Sequence, residues 1–207
     1  MSIDKNITLY AQWSRTPTTY EYVDLGLPSG LKWATCNVGA SKPEEYGDYF
    51  AWGEVKPKEY YDWNTYKWCN GNSNTLTKYC LNSDYGIADN KTILDPEDDA
   101  ATVNWGSNWR MPTKEEQDEL CEHCTWKWIY SIGGYEVIGP NGNSIFLPIA
   151  GYRFEESLVQ AGMIGLYLSS SLASYSADAY YIGFEVSGVN RYPNSRFWGY
   201  TIRPVYE

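Results

Sequence analysis

Trp109-Arg110-Met111-Pro112-Thr113-Lys114-Glu115-Glu116 is the stretch on which the fold turns. Trp109 to Met111 reads as the end of a strand, and Pro112 stops it because proline has no N–H to give a ladder. Thr113-x-x-Glu116 is a capping box: the threonine side chain accepts from the Glu116 N–H, and the glutamate reaches back to the cap's own N–H. Gln117, Leu120, Cys121 and Cys124 then recur at helical spacing and share one face. About ninety residues on, Gly199-Tyr200-Thr201-Ile202-Arg203-Pro204-Val205 reads as a closing strand. The chain between is dense in Tyr, Trp, Ser and Asn, which is binding-surface chemistry with little sign of catalysis.

Upstream of the helix, residues 20–24 and 31–36 read as strands separated by the turn Gly26-Leu27-Pro28-Ser29-Gly30. Residues 43–46 suit a short helical turn, and 48–52 are aromatic and extended. Residues 58–85 show no clean period and read as a long irregular insertion. Acidic Glu97-Asp98-Asp99 before Ala100-Ala101 suits a helix start, where carboxylates favour the positive end of the dipole. Downstream, 125–130, 135–138, 144–147 and 151–154 read as short strands, with Asn141-Gly142 as a hairpin turn. The last third holds strand candidates at 166–170, 179–186 and 197–205. Two helices followed by a meander of strands give the expectation of an α+β domain with two main helices, short antiparallel strands and long loops. Residues 14–19 read as a linker and 20–207 as the domain.

With 16 basic and 26 acidic residues, the formal charge of −10 argues against nucleic acid, whose affinity rests on neutralising phosphates, and against an anionic membrane surface. No apolar run approaches the roughly 20 residues of a spanning helix, so no membrane insertion is expected. There are 20 Tyr and 10 Trp against 5 Phe. Rings with polar tips suit half-wet recognition surfaces, although each also serves as an ordinary large filler. Five cysteines, an odd number, leave at least one thiol unpaired within the chain. Met1 leads into Ser-Ile-Asp-Lys-Asn with no basic start and no apolar core, so no signal peptide is read: the chain is not exported by that route, or it is a fragment.

The single histidine, His123, leaves one candidate base for a nucleophile. Cys121-Glu122-His123-Cys124 looks metal-like, but on a helix His123 points away from the two cysteines and a fourth ligand is missing. No acid–base pair stands out, so the chain reads as non-enzymatic, with no catalytic and no metal residues assigned. Asp95, Glu97, Asp98 and Asp99 keep calcium open as a cofactor, against the plainer reading of an acidic helix start. In 179–186 alternation puts Tyr180, Ile182, Phe184 and Val186 on a core face and Tyr181, Gly183 and Glu185 on the other. Arg191-Tyr192-Pro193-Asn194-Ser195-Arg196-Phe197-Trp198 reads as a turn. Arg191, Tyr192, Phe197, Trp198 and Tyr200 are the expected recognition patch, since aromatic and Arg side chains dominate hot spots. Ser174 and Tyr175 add an adaptable loop.

Several phrases together resemble a Bacteroidetes family, the Fibrobacter succinogenes major paralogous domain. They are Val23-Asp24-Leu25-Gly26-Leu27-Pro28-Ser29-Gly30, Trp33-Ala34-Thr35-Cys36-Asn37-Val38-Gly39-Ala40 and Tyr46-Gly47-Asp48-Tyr49-Phe50-Ala51-Trp52-Gly53-Glu54. Asp98-Asp99-Ala100-Ala101, Trp109 to Thr113, Asn143 to Pro148, Ala150-Gly151-Tyr152-Arg153, Ser169-Ser170-Ser171 and Arg203-Pro204-Val205 follow in order. The resemblance implies a C-type-lectin-like domain, related in fold to formylglycine-generating enzymes, on secreted or surface proteins of gut bacteria and their phages. The final third lacks the cysteine site of those enzymes, so their activity is not expected. The wider fold also includes the variable proteins of diversity-generating retroelements, whose diversified positions lie near the C terminus. The chain departs from the family at Gln117, expected as a tolerated helix-edge change, and at Leu168, expected on a variable surface. Residues 6–13 resemble the last strand of a Listeria–Bacteroides repeat, making 1–19 the tail of a truncated extracellular repeat plus linker. The functional expectation is an adhesin or receptor-binding module, extracellular, on a cell surface or on a phage particle, with a protein or glycan ligand. The alternatives are a carbohydrate-binding accessory module of a surface polysaccharide system and a purely structural surface domain.

Overall fold

A computed structural model describes residues 20–207; the strand expected at 6–13, the linker at 14–19 and the repeat tail they form lie outside the described residues. In chain order the elements are β1 (Tyr22–Asp24), β2 (Lys32–Ala34), α1 (Ala100–Trp105), β3 (Trp109–Arg110) and α2 (Lys114–His123). Then come β4 (Thr125–Trp128), β5 (Gly134–Ile138), β6 (Ser144–Pro148), β7 (Tyr152–Phe154), β8 (Ser157–Val159), β9 (Gly165–Leu172), β10 (Asp178–Glu185), β11 (Gly188–Ser195) and β12 (Val205–Tyr206). They form four small sheets, ordered β1-β2-β12-β3, β11-β10-β9, β4-β5-β6 and β7-β8. The closing strand β12 inserts between β2 and β3, pairing Val205 with both Trp33 and Arg110.

This architecture is mainly β, with no closed barrel, and it overturns the α+β expectation. The two helix signals are correct in place but short in reach. The capping box at Thr113 and Glu116 forms in full, yet α2 ends at Cys124 after ten residues. Asp99 caps α1 through the Ala101 and Thr102 N–H groups, and Gly106 ends it after six. Nearly everything after Cys124 pairs in antiparallel hairpins, where Tyr, Val, Ile and Ser rows pack well on a pleated surface.

Two strands escaped the sequence reading. β8 completes a hairpin with β7, and β11 occupies the stretch read as a turn, in register with β10 from Asp178↔Ser195 to Glu185↔Gly188. Conversely, 197–205 is only a run of single bridges, Gly199 to Arg153, Tyr200 to Phe50 and Thr201 to Tyr167, before β12. Val186, expected in the core, sits exposed at the β10–β11 turn. Gln117 is buried rather than at a helix edge, and its side-chain amide donates to the Tyr167 carbonyl at 3.0 Å.

The core has two main parts, one on each side of β9 and β10. Ile182, Phe184 and Tyr167 join Leu120 of α2 and the Tyr135, Val137, Ile145 and Leu147 rows of β5 and β6. Leu166, Leu168, Leu172 and Ala179 join Phe50, Trp52, Tyr79, Met111, Tyr200 and Ile202. β9 is therefore buried along its whole length.

Two buried arginines tie the irregular segments to this frame. Arg196 donates from Nε to the Tyr66 hydroxyl at 2.7 Å, from Nη1 to the Tyr79 and Ser176 carbonyls at 2.8 and 2.9 Å, and from Nη2 to the Lys78 carbonyl at 2.8 Å. Its guanidinium also lies 5.2 Å from the Trp52 and Tyr66 ring centres. Arg203 donates to Asn37 Oδ1 and to the Ala34, Thr35 and Phe146 carbonyls, at 2.8 to 3.1 Å. Burial holds its pKa below the usual arginine range. Orphaning several buried acceptors at once is a known route to large destabilisation. Arg196→Met is therefore expected to cost about 3 kcal/mol in urea denaturation. It is also expected to open residues 58–98 to limited proteolysis before the rest of the domain.

Candidate functional site

Alternation along the β10–β11 hairpin sorts its side chains between the core cluster on the α2 side and a second face, which is core at Ala179 and opens to the surface at Asn190 and Tyr192. On the core side, Ile182 and Phe184 of β10 are buried, and Val189 of β11 packs against the same cluster. On the other side Tyr181 stands opposite Tyr192, Gly183 opposite Asn190 and Ala179 opposite Asn194, with Glu185 at the hairpin end. β9 supplies Leu168 and Leu166 as the partners of Tyr181 and Gly183. The expected pairing of Tyr181, Gly183 and Glu185 on one face is thus what the hairpin shows.

The expected patch is not one surface. Arg191 falls on the α2 side of β11: its Nη1 donates to Asp118 at 2.9 Å and to Glu122 at 3.5 Å, so it points away from its neighbour Tyr192. Leu168, Phe197 and Tyr200 are buried and cannot present their side chains. Leu168 is floor under Tyr181; Phe197 packs into a third cluster with Tyr49, Tyr61 and Tyr66. Tyr200 accepts from Asn194 Nδ2 at 3.1 Å and meets the Tyr181 ring at 5.1 Å between centres. Ser174 and Tyr175 are exposed, but they precede Asp178 at the opposite end of β10 from Glu185, about 20 Å away at the strand's rise. Tyr175 packs edge-on to Tyr85 there.

What remains is a coherent face. Beside Gly183 lies a cleft of about 150 Å3 lined by Ile164, Leu166, Tyr181, Gly183, Phe184, Glu185, Asn190 and Tyr192. Trp198 lies half-buried on the same aromatic network, stacked on Tyr152 with ring centres 4.8 Å apart and planes at 12°. Phe154 meets Trp198 at 5.4 Å. Asn190, Asn194, Ile164 and Tyr152 were missed from sequence. Asn190, Tyr192 and Asn194 carry a period-two signal, but Pro193 and the surrounding polar residues masked it; an edge strand tolerates that proline.

The remaining candidates have other roles. Carboxylates of Asp95, Glu97 and Asp98 do converge. Lysines already fill the space between them: Lys78 Nζ lies 2.6 Å from both Asp95 and Asp98, Lys67 3.0 Å from Asp98, and Lys91 2.5 Å from Asp95. Asp99 turns away to cap α1 and to accept from the Met111 N–H. Cys121 and Cys124 pack half-buried against the core while His123 is exposed, as the helical spacing predicts. Burial pushes their thiols up to about 12 and about 11, far from the thiolate a metal needs. All five cysteines are free. A wider apolar groove of about 410 Å3 lies between Val23, Pro43, Ile132 and Phe146, and none of its lining belongs to β9–β11. No described helix is long and apolar enough to cross a membrane.

Comparison of the chain with protein-family models, with curated proteins and with solved structures gives no match.

The lysine–carboxylate network makes a pH prediction. Hydrogen bonds from Lys78 and Lys91 lower the Asp95 pKa. Burial alone would raise that of Asp98, but its bonds from Lys78, Tyr79 and Lys67 outweigh burial and lower it. A depressed carboxylate contributes stability that is present above its unfolded pKa, about 3.9, and is lost as pH falls through the folded value. The stability gap between the native chain and Asp98→Asn should therefore be flat near neutral pH and close below about pH 4. Urea midpoints across that range measure it.

Proposed function

We propose that the chain is a non-enzymatic ligand-binding module that presents the outer face of the β9–β10–β11 sheet. The observation that carries the reading is the division of the hairpin. One face is anchored in the core and by Arg191 to α2, while the other offers Tyr181, Asn190, Tyr192 and Glu185 around a cleft, beside the Trp198–Tyr152 stack. Rigid aromatic anchors flanked by amides and a carboxylate are what specific recognition uses at low conformational cost. The motif resemblance from Val23 to Val205 supports an adhesin or receptor-binding role, without the α+β architecture it implied. In its narrower form, a diversity-generating retroelement alters codons for exposed members of this face, such as Glu185, Asn190 and Tyr192. Adenine-rich codons there, with a nearby template repeat and reverse transcriptase, are the genetic signature. A glycan ligand is the second reading, supported by the tyrosine rings of Tyr181 and Tyr192 beside the amides of Asn190 and Asn194.

The test is an array of glycans and bacterial and host surface proteins, probed with the full chain in the presence and absence of calcium. Tyr192 is 55% exposed, so Tyr192→Ala is expected to leave the thermal midpoint unchanged. Genuine hits should weaken about tenfold or more, as hot-spot residues do. Hits indifferent to both Tyr192→Ala and Trp198→Ala would remove this face from the function. Hits confined to glycans would select the accessory carbohydrate-binding reading.

A further inference from the structure

We propose that the cleft beside Gly183 receives one cationic side chain, lysine or arginine, of a protein ligand. This rests on the binding-face reading above and names what that face recognises.

Size is the first argument. Small-molecule pockets run about 300–1,000 Å3, whereas this cleft holds about 150 Å3, room for a single side chain. Shape is the second. A Cβ at residue 183 would stand 3.0 Å from Tyr181 Cε2 and 3.1 Å from Leu166 Cδ2, tighter than ordinary contact, so the glycine is what lets the Tyr181 ring and Leu166 close up as the wall of the cleft. Its backbone is not left-handed, so an alanine there meets crowding and no backbone strain. The glycine is therefore a close-approach position that shapes the cleft wall rather than a turn requirement.

Chemistry selects the occupant. Ile164 and Leu166 line the cleft with apolar surface for an aliphatic stem, and Tyr181 and Tyr192 line it with aromatic rings, the side chains that attract a cation. At the rim, Ser187 Oγ donates to Glu185 Oε1 at 2.8 Å, and Glu185 has no ion-pair partner among the described residues. No Lys or Arg lines the cleft, so nothing of its own already fills the role. The one arginine of β11, Arg191, is drawn to the opposite face by Asp118 and Glu122. The net charge of −10 adds a long-range field that steers basic partners and repels acidic ones.

The test is an NMR titration of the full chain with Nα-acetyl-lysinamide, Nα-acetyl-argininamide and the uncharged Nα-acetyl-norleucinamide, following the amides of Gly183, Glu185 and Asn190. One of the cationic probes should shift these resonances at a concentration about fivefold or more below norleucinamide. Gly183→Ala should abolish the shifts by forcing the Tyr181 ring and Leu166 out of the positions that form the cleft wall. Glu185→Gln, at an exposed position that leaves folding intact, should weaken the cationic probe about threefold and remove its salt dependence. Norleucinamide binding as well as the cations, or shifts that survive Gly183→Ala, would overturn the proposal. The two readings separate cleanly. If array hits still depend on Tyr192 while the cationic probes show no preference, the cation site fails and the binding face stands. If neither Tyr192→Ala nor Trp198→Ala weakens any hit, the face itself fails.

Discussion

The guanidinium of Arg196 holds the irregular half of this protein. Residues 58–98 contain no named strand, and a loop of that length inside a domain is unusual without a special anchor. Such a segment cannot satisfy its carbonyls in a ladder, and those it buries need donors from elsewhere. Arg196 leaves the end of β11 and reaches the carbonyls of Lys78, Tyr79 and Ser176 and the hydroxyl of Tyr66. A planar fork with five N–H groups can do this; a lysine ammonium, with three donors on one atom, cannot span the same acceptors. Arg203 performs the equivalent task where the carbonyls of β2 and β6 converge.

That anchoring also frees the hairpin face. Because Arg196 and Phe197 turn inward at the end of β11, the following Trp198 turns outward onto Tyr152. Arg191 pins the far side of the same strand to α2. A face held this way is pre-organised, so little ordering cost remains for a ligand to meet. β11 is an exposed edge strand of eight residues, which is an invitation to strand-on-strand aggregation. Pro193 and Arg191 blunt it, leaving recognition to side chains rather than to the open backbone.

Much of the scaffold was legible because its signals are local. The capping box at Thr113, the buried stripe of α2 and the alternation of Ile182 and Phe184 each follow from neighbours within a few residues. The Asn141-Gly142 turn likewise joins β5 to β6, with Gly142 at φ 86°. The misreadings involve partners outside the segment being read. β11 looked like a turn because its strand character comes from pairing with β10, not from its own composition. Phe197, Tyr200 and Leu168 looked like surface because nothing nearby in sequence shows that residues 49–66, Asn194 and Tyr181 cover them. Helix content was overestimated because a strong start signal says nothing about length; Gly106 and the strand-forming residues after Cys124 set the ends.

The tyrosine excess has a different meaning once the donors are counted. Composition alone suggested a recognition surface. Yet Tyr49, Tyr66 and Tyr167 are buried, and each donates its hydroxyl to a main-chain carbonyl, of Ala150, Trp52 and Pro148. Tyr61 does the same to Tyr49, and Tyr79 to the Asp98 carboxylate. Phenylalanine in any of these places would remove a donor that a buried carbonyl or carboxylate uses. These rings are therefore the distributed counterpart of Arg196, large enough to fill the core and polar enough to satisfy loops that have no ladder. Tyr192 is exposed and answers to no such need. A tyrosine that the fold does not require, lining the cleft beside Gly183, is a stronger pointer to recognition than the total of twenty.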